Sequence, residues 1–239
     1  MDTLTLLDIS YCKQVTDAGL APFEGKIYPL ESLIINGVNG ISGAGIKQWL
    51  HSFKETLIDF EAALNDQESF NGSFFEVLGF CWNLETLDVT GSHGIEDEAG
   101  RQLTNATLSF GNDTIKPGLQ YCHTLKMNGA NLSDATLPTV IKSMPNLEHV
   151  ELCRCEQIGE FGIKNLLENC PKLIYLDINK VPIVSYAFLD ELKTTHPNLL
   201  VRRNLHQDLD FKKDNGLRVP RRIITKKKKK KKKKGKKKK

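Results

Sequence analysis

The sequence predicts an α/β solenoid, a fold in which short units of strand and helix stack side by side. Two observations lead to this prediction: one motif occurs near both ends of the chain, and similar copies follow one another at a regular spacing. The clearest copy spans residues 147–163, and residues 4–20 repeat its apolar positions with every interval preserved, 143 residues earlier. Such internal repetition indicates stacked units rather than a single globular core.

One apolar position in each copy marks the repeat. The steps between successive markers are 26, 25, 29, 38, 25 and 26 residues, and a weaker eighth copy is expected to begin at Leu199, with Arg202 in place of the apolar marker. Four of the six steps are 25 or 26 residues, a length that suits a leucine-rich repeat and none of the longer helical or propeller repeats. The markers are Leu7, Leu33, Ile58, Leu87, Leu125, Val150 and Leu176.

Each unit combines a strand pattern with a helix start. In the clearest copy, Val150 and Leu152 lie two residues apart and predict the inward face of a short strand. Cys155 then falls in the turn, and Glu160 opens a helix. Because one unit cannot bury its own apolar face, the units are expected to form a leucine-rich-repeat solenoid, a horseshoe arc with a parallel concave sheet and outer helices. Helices are predicted over residues 17–23, 43–52, 97–104, 134–143, 160–169 and 185–194.

Two regions depart from the template. In the third repeat, residues 56–60 mirror residues 5–9, but the Cys and Gly landmarks are missing afterwards, and an aromatic stretch at residues 70–75 follows. The step of 38 residues contains an insertion of about 12 residues within residues 100–119, where Pro117 and Gly118 indicate a turn. An insertion of this length is either a functional loop or a tolerated extension.

Charge divides the chain into two very different parts. The formal net charge is +4, yet residues 226–239 contain 13 lysines and one glycine, so the remaining 20 basic and 29 acidic residues give the body a net charge of −9. Thirteen like charges repel one another and cannot fold. We therefore predict a leucine-rich-repeat domain of seven to eight repeats over residues 1–205, a linker over 206–225, and a disordered polylysine tail over 226–239.

The cysteines and the missing motifs bear on location and chemistry. Five of the six cysteines occupy places that the repeat defines, and they are expected to behave as small buried hydrophobes; Cys153 is off the pattern. The chain shows neither a secretory signal nor a run of 18 apolar residues, which favours a reduced, intracellular protein of the nucleus or cytoplasm. We find no phosphate-binding loop, zinc-protease motif or nucleophile elbow, so we expect no catalytic residue, no cofactor and no metal.

The strand residues between the inward pairs are the candidate binding residues. They are expected to face solvent on the concave side, with neighbouring strands about 5 Å apart. Five of the seven are acidic, which is explained either by a binding surface for a basic partner or by a solvated face common in such repeats. The seven positions are Asp8, Ile34, Asp59, Asp88, Lys126, Glu151 and Asp177.

The unit Cys-x-x-Leu-x-x-Leu-x-Leu-x-x-Cys-x-x-Ile-Thr-Asp-x-Gly-Leu resembles the cysteine-containing subtype of leucine-rich repeat. The match covers residues 4–201 and is strongest at 4–20, 84–97, 147–163 and 170–178. This subtype is best known in F-box/leucine-rich-repeat proteins and the related antagonist of mitotic exit network protein. In F-box members, an F-box docks on the Skp1 adaptor of a cullin ubiquitin ligase, and the repeat arc holds the substrate. Because the first repeat begins at Leu4, we expect a fragment without the F-box or terminal cap, so a link to Skp1 and cullin would depend on a missing F-box.

Two functions from different classes follow from these observations. The first is a non-enzymatic protein-binding module, like the substrate-recognition part of an F-box/leucine-rich-repeat ubiquitin-ligase receptor, with a basic protein partner on the concave face and no membrane partner. The second is a nuclear protein that binds nucleic acid weakly through its polylysine tail. The tail is alternatively a low-complexity extension without a dedicated role. The sequence does not identify the partner.

Overall fold

The structure, a computed structural model, describes residues 3–23, 28–65, 70–108 and 119–203. Within these ranges, eight short strands form one sheet, and each strand pairs in parallel with the next one along the chain. The predicted α/β solenoid with a parallel sheet is confirmed. The predicted linker and polylysine tail lie outside the described residues, as do residues 109–118 of the predicted insertion. The strands are β1 Leu6–Asp8, β2 Ser32–Ile34, β3 Asp59–Glu61, β4 Thr86–Asp88, β5 Thr124–Lys126, β6 His149–Glu151, β7 Tyr175–Asp177 and β8 Leu200–Arg202.

A helix follows each of the first seven strands. The helices are α1 Asp17–Leu20, α2 Gly43–Leu50, α3 Phe75–Leu78, α4 Asp97–Leu108, α5 Leu137–Lys142, α6 Glu160–Asn169 and α7 Tyr186–Thr195, with 3-10 turns at Ala21–Phe23 and Gly72–Phe74. Helix α5 begins three residues later than predicted. Its second residue is Pro138, which lacks a backbone N–H and is tolerated only in the first helical turn. None of the helices within the described ranges is long and apolar enough to cross a membrane.

The third repeat has a different register from the predicted one. Phe60, and not Ile58, pairs with both Leu33 and Leu87, so the two adjoining steps are 27 residues each. The physical reason is burial: the Phe60 side chain is fully buried in the core, whereas Ile58 remains half-buried. Leu57, also fully buried, occupies the place of the first leucine of the template.

The eighth repeat is displaced by one residue from the prediction. Val201 pairs with Leu176 in the core row, and Arg202 pairs with Asp177 on the opposite face of the sheet. The apolar marker is therefore present in the eighth copy, 25 residues after the seventh. Arg202 is an exposed basic residue beside Asp177, and not a decayed core position.

The turn after each strand contains a hydrogen bond between neighbouring repeats. Cys155, the template cysteine, is buried, and its Sγ lies 3.2 Å from the carbonyl oxygen of Met127 in the preceding repeat. Ser92 and Asn65 take the same place in their own repeats, because each donates to the preceding repeat at 3.0 Å. The landmark that the third repeat lacked in sequence is thus Asn65. Cysteine, serine or asparagine supplies the donor in these three repeats, whereas Val38, Ala130 and Val181 occupy the same place in others.

A second series of hydrogen bonds joins the helix starts of neighbouring repeats. Asp17 accepts hydrogen bonds from the backbone N–H and the hydroxyl of Ser42, the residue that caps α2, at 2.9 and 2.7 Å. Asp97 binds Ser133 in the same way. Burial raises the pKa of Asp97, but the bonds from Ser133 outweigh burial and leave the pKa below its ordinary value. A Cβ atom at Gly45 would overlap the Asp17 carboxylate, which explains the glycine of the template.

The inward assignment of the strands predicts a large effect at Leu152. Its side chain is fully buried, so Leu152→Asp places a carboxylate in the core without a partner. We expect a loss of about 4 kcal/mol in the free energy of unfolding, measured by urea denaturation. Leu6→Asp, at a side chain 55% exposed, is the matched control and should change stability little. Equal effects of the two substitutions would show that the inward assignment is wrong.

The bridging role of Asn65 predicts a second destabilised variant. Asn65 is fully buried, accepts from Val38 N–H at 2.8 Å, and donates to the carbonyls of Ile35 and Ala62. Asn65→Ala removes these bonds and should cost about 2–3 kcal/mol. Asn83→Ala, which removes an exposed bond to the Glu55 carbonyl, should cost well under half as much in the same urea titration. If Asn65→Ala unfolds at the same urea concentration as Asn83→Ala, then Asn65 does not hold the third repeat in place.

Candidate protein-binding surface

The exposed face of the sheet consists of two parallel rows of side chains. The central residue of each strand points into the core, so the two residues that flank it point to the opposite face. We call the rows after their first members. The Leu6 row contains Leu6, Ser32, Asp59, Thr86, Thr124, His149, Tyr175 and Leu200, and the Asp8 row contains Asp8, Ile34, Glu61, Asp88, Lys126, Glu151, Asp177 and Arg202.

The structure places six of the seven predicted residues in the Asp8 row. The exception is Asp59, which the corrected register of the third repeat moves to the Leu6 row, while Glu61 takes its place. Both carboxylates remain on the exposed face, because they lie two residues apart on one strand. A signal for the correct register was present in the sequence: Leu57 and Asn65 stand at the template distances from Phe60 and not from Ile58.

The three aspartates of the Asp8 row are held in place by the main chain. Asp8 Oδ1 accepts the N–H of Ser10 at 2.9 Å, and hydrogen bonds from Ser10 lower the pKa of Asp8. Asp88 and Asp177 accept the N–H two residues further on in the same way, at 3.0 and 2.9 Å. These local bonds end the strands and fix the direction of the carboxylates.

Two ion pairs within the row neutralise part of its charge. Lys126 Nζ lies 3.2 Å from Asp88 Oδ2, and Arg202 NH1 lies 3.3 Å from Asp177 Oδ2. The Asp177 side chain is only 7% exposed, and burial raises its pKa although Asn179 and Arg202 act in the opposite direction. The row therefore carries side chains of both charges and is not acidic throughout.

His149 and Tyr175 form the centre of a polar network on β6 and β7. Their rings stack with centroids 4.2 Å apart and planes inclined by 10°. His149 Nε2 lies 2.9 Å from Glu151 Oε1, and Asn128 donates to the other oxygen of Glu151 at 2.8 Å. Burial raises the pKa of Glu151, but these two bonds outweigh it and the pKa is lowered. The network keeps Glu151 charged and its oxygens occupied.

Charge is distributed unevenly along the sheet. The strand residues of β1–β4 include four carboxylates and no basic residue: Asp8, Asp59, Glu61 and Asp88. Those of β5–β8 include two carboxylates and two cations, Glu151, Asp177, Lys126 and Arg202. We call the first group the acidic half. Two exposed residues that precede its strands, Glu31 and Glu85, add to its negative charge.

A groove of about 580 Å³ runs along the exposed face where strands β4–β8 end. Asn128, Gly129, Arg154, Lys180 and Arg202 are among the residues that line it. Cys153 also lines the groove, and burial raises the pKa of its thiol. Cys155 is instead buried behind the sheet, so the two cysteines point to opposite sides.

A backbone feature recurs beside the groove in each of the first seven repeats. The residue four positions after each core marker has a positive φ, between 60° and 77°. These residues are Tyr11, Gly37, Leu64, Gly91, Gly129, Arg154 and Lys180. Glycine adopts this conformation without strain, and the glycines leave space where the other residues project side chains. The feature was not predicted, although three glycines at the same distance from their markers were a signal for it in the sequence.

Comparison with known proteins adds similarities but no family. No family model matches the chain. One similar structure is a chain of the Rad7 and Elc1 complex in yeast, with 18% identity and a TM-score of 0.44, over 83% of this chain and 64% of that one. Another is a chain of an octameric complex of Latrophilin 3, Unc5D and FLRT2, with 12% identity and a TM-score of 0.39, over 85% of this chain and 71% of that one. This chain thus spans less than two thirds of the first of them.

Proposed function

We propose that the chain is a non-enzymatic protein-binding module that holds a basic segment of a partner against the exposed sheet face. The observation that carries the proposal is the acidic half, where four strands present Asp8, Asp59, Glu61 and Asp88 on one face with no basic strand residue among them. Lys126 pairs with Asp88 at the border, so the uncompensated charge belongs to β1–β3.

The dimensions of this surface suit an extended peptide. Adjacent strands lie about 4.8 Å apart, so four strands span about 15 Å. An extended chain advances about 3.3 Å per residue, and four or five residues cover that distance. Lysine and arginine side chains of such a segment would meet the carboxylates at the rim of each strand, and the field of the acidic half would speed their association.

A finer form of the proposal concerns the pathway. The repeat subtype resembles that of F-box/leucine-rich-repeat proteins, and we propose that the sheet face serves as the substrate-recognition surface of a ubiquitin-ligase receptor. Of the two similar structures, the first is a complex of Rad7 with Elc1, and the second is an octameric complex that includes the leucine-rich repeats of FLRT2. Their similarity to this chain is too low to support either form of the proposal.

Two pairs of substitutions test the acidic half. Asp59→Asn with Glu61→Gln removes two charges from the sheet face while keeping side-chain size. Asp190→Asn with Glu191→Gln removes two exposed charges from helix α7 and is the control. With the full chain as bait, we expect a group of basic proteins, identified by mass spectrometry, to fall at least about tenfold with the sheet pair and to stay unchanged with the helix pair. Equal recovery with both pairs would contradict the proposal.

A second candidate function rests on the 13 lysines of residues 226–239. We propose for it a sequence-blind contact with nucleic acid phosphates. Binding of a single-stranded RNA by the full chain should weaken by roughly a thousandfold or more between 50 and 200 mM salt, because many counterions are released. Deletion of residues 226–239 should abolish it, whereas the Asp59→Asn and Glu61→Gln pair should leave it unchanged. Salt-insensitive binding measured by fluorescence anisotropy would exclude the tail as the cause.

A further inference from the structure

We propose that the exposed sheet face recognises a partner segment whose charges are separated into two blocks, with the basic block over the acidic half and the acidic block at the turns after β6 and β7 and at Arg202 of β8. This inference rests on the proposed function and adds to it the charge order of the partner. It follows from the position and exposure of the charged side chains on the last three repeats.

The turns after β6 and β7 carry cations at the left-handed backbone position. Arg154 and Lys180 are both exposed there, with φ of 61° and 60°, whereas the five earlier repeats place a glycine, a tyrosine or a leucine at the same position. Among the described residues, neither Arg154 nor Lys180 forms a salt bridge. The two cations are therefore available to an acidic ligand.

The acidic residues of the groove are less available than its cations. Asp177 is only 7% exposed and Glu151 only 23%, while Arg202 is 53% exposed. The oxygens of Asp177 already bind Asn179 and Arg202, and those of Glu151 bind His149 and Asn128. Among the charged side chains that line the groove, the cations are therefore the more exposed to solvent. We call Arg154, Lys180 and Arg202 the basic edge.

The three cations surround one place in the groove. Arg154, Lys180 and Arg202 each act electrostatically on the Cys153 thiol, and all three favour its charged form, although burial and Asp177 raise its pKa overall. All four residues line the same groove. An acidic side chain of the partner would therefore meet several positive charges at once, in a groove whose shape concentrates their field.

The distance between the two charged regions fits one short peptide. Seven intervals of about 4.8 Å separate β1 from β8, so the sheet is about 34 Å wide. About ten residues of extended chain span that width. The Lys126–Asp88 ion pair lies at the centre and separates the regions. A segment with a basic half and an acidic half would match the surface along its length, whereas an entirely basic segment would bring cations against the basic edge.

Two synthetic peptides of identical composition test the charge order. The block peptide has four lysines, a Gly-Ser-Gly spacer and four glutamates; the alternating peptide has the same residues with lysine and glutamate in turn. We expect the full chain to bind the block peptide at least about tenfold more tightly at physiological salt, measured by fluorescence anisotropy. A photo-reactive group at the lysine end should cross-link to β1–β4, and one at the glutamate end should cross-link to the turns after β6 and β7 or to β8.

Matched variants locate the two contacts. Asp59→Asn with Glu61→Gln, and separately Arg154→Gln with Lys180→Gln, should each weaken binding of the block peptide by about tenfold. Asp190→Asn with Glu191→Gln, and Lys142→Gln with Lys172→Gln, make the same charge changes at exposed sites elsewhere and should alter binding less than twofold. Circular dichroism and thermal unfolding of each variant confirm that it is folded, and exposed substitutions of this kind should leave the fold intact.

The outcomes separate this inference from the proposed function. Equal binding of the two peptides, with cross-links on the sheet face, would overturn the charge order and leave the protein-binding role standing. Glutamate-end cross-links only to residues 226–239, together with no effect of Arg154→Gln and Lys180→Gln, would overturn the basic edge as the acidic-block site. Cross-links confined to the helices for both peptides would overturn the proposed function as well.

Discussion

Every repeat of this protein depends on its neighbours to bury one row of side chains. The row runs through the centre of each strand, and Leu33, Phe60, Leu87, Leu125, Val150 and Leu176 are all fully buried within it. A single unit has no second layer of its own to cover this row, so the core exists only between stacked units. The strand register follows from this requirement, because a shift of one residue would turn the apolar row outward.

Stacking also buries polar backbone groups, which then need hydrogen-bond partners inside the molecule. Turns and helix starts carry backbone N–H and C=O groups that lie between repeats, and a buried group without a partner costs stability. In the turns, the side chains of Asn65, Ser92 and Cys155 bind such backbone groups. At the helix starts, Asp17 and Asp97 do so. The polar residues of the turns and helix starts thus join one repeat to the next.

The binding surface that we propose is a consequence of the same packing. Once the central residue of each strand faces the core, its two neighbours must face outward, and parallel pairing aligns them in two rows. The identity of the exposed residues is then free to vary from repeat to repeat. In this protein, carboxylates concentrate on β1–β3, whereas exposed cations lie in the turns after β6 and β7 and on β8, so the two ends of the sheet face differ in charge.

The architecture and most of the exposed row could be predicted from the local sequence pattern. Apolar residues two apart recur at steps of 25 to 27 residues, with one step of 38, and specify inward-facing strands, so Asp8, Asp88, Glu151 and Asp177 were placed correctly. These assignments depend on local alternation alone. The helix ends were less accurately predicted, because side chains of neighbouring repeats take part in their capping.

Contacts between repeats set the features that the local pattern could not predict, namely the register of the third repeat and the ion pair of Asp177. Ile58 and Phe60 both fit the apolar alternation, and packing between Leu33 and Leu87 selects Phe60. This choice exchanges Asp59 for Glu61 in the Asp8 row. The pairing of Asp177 with Arg202 likewise joins residues 25 positions apart, at a distance set by the stacking of two strands. The spacing of residues along the chain predicts which of them can face outward. The net charge of the surface depends in addition on which outward-facing residues become neighbours in the fold.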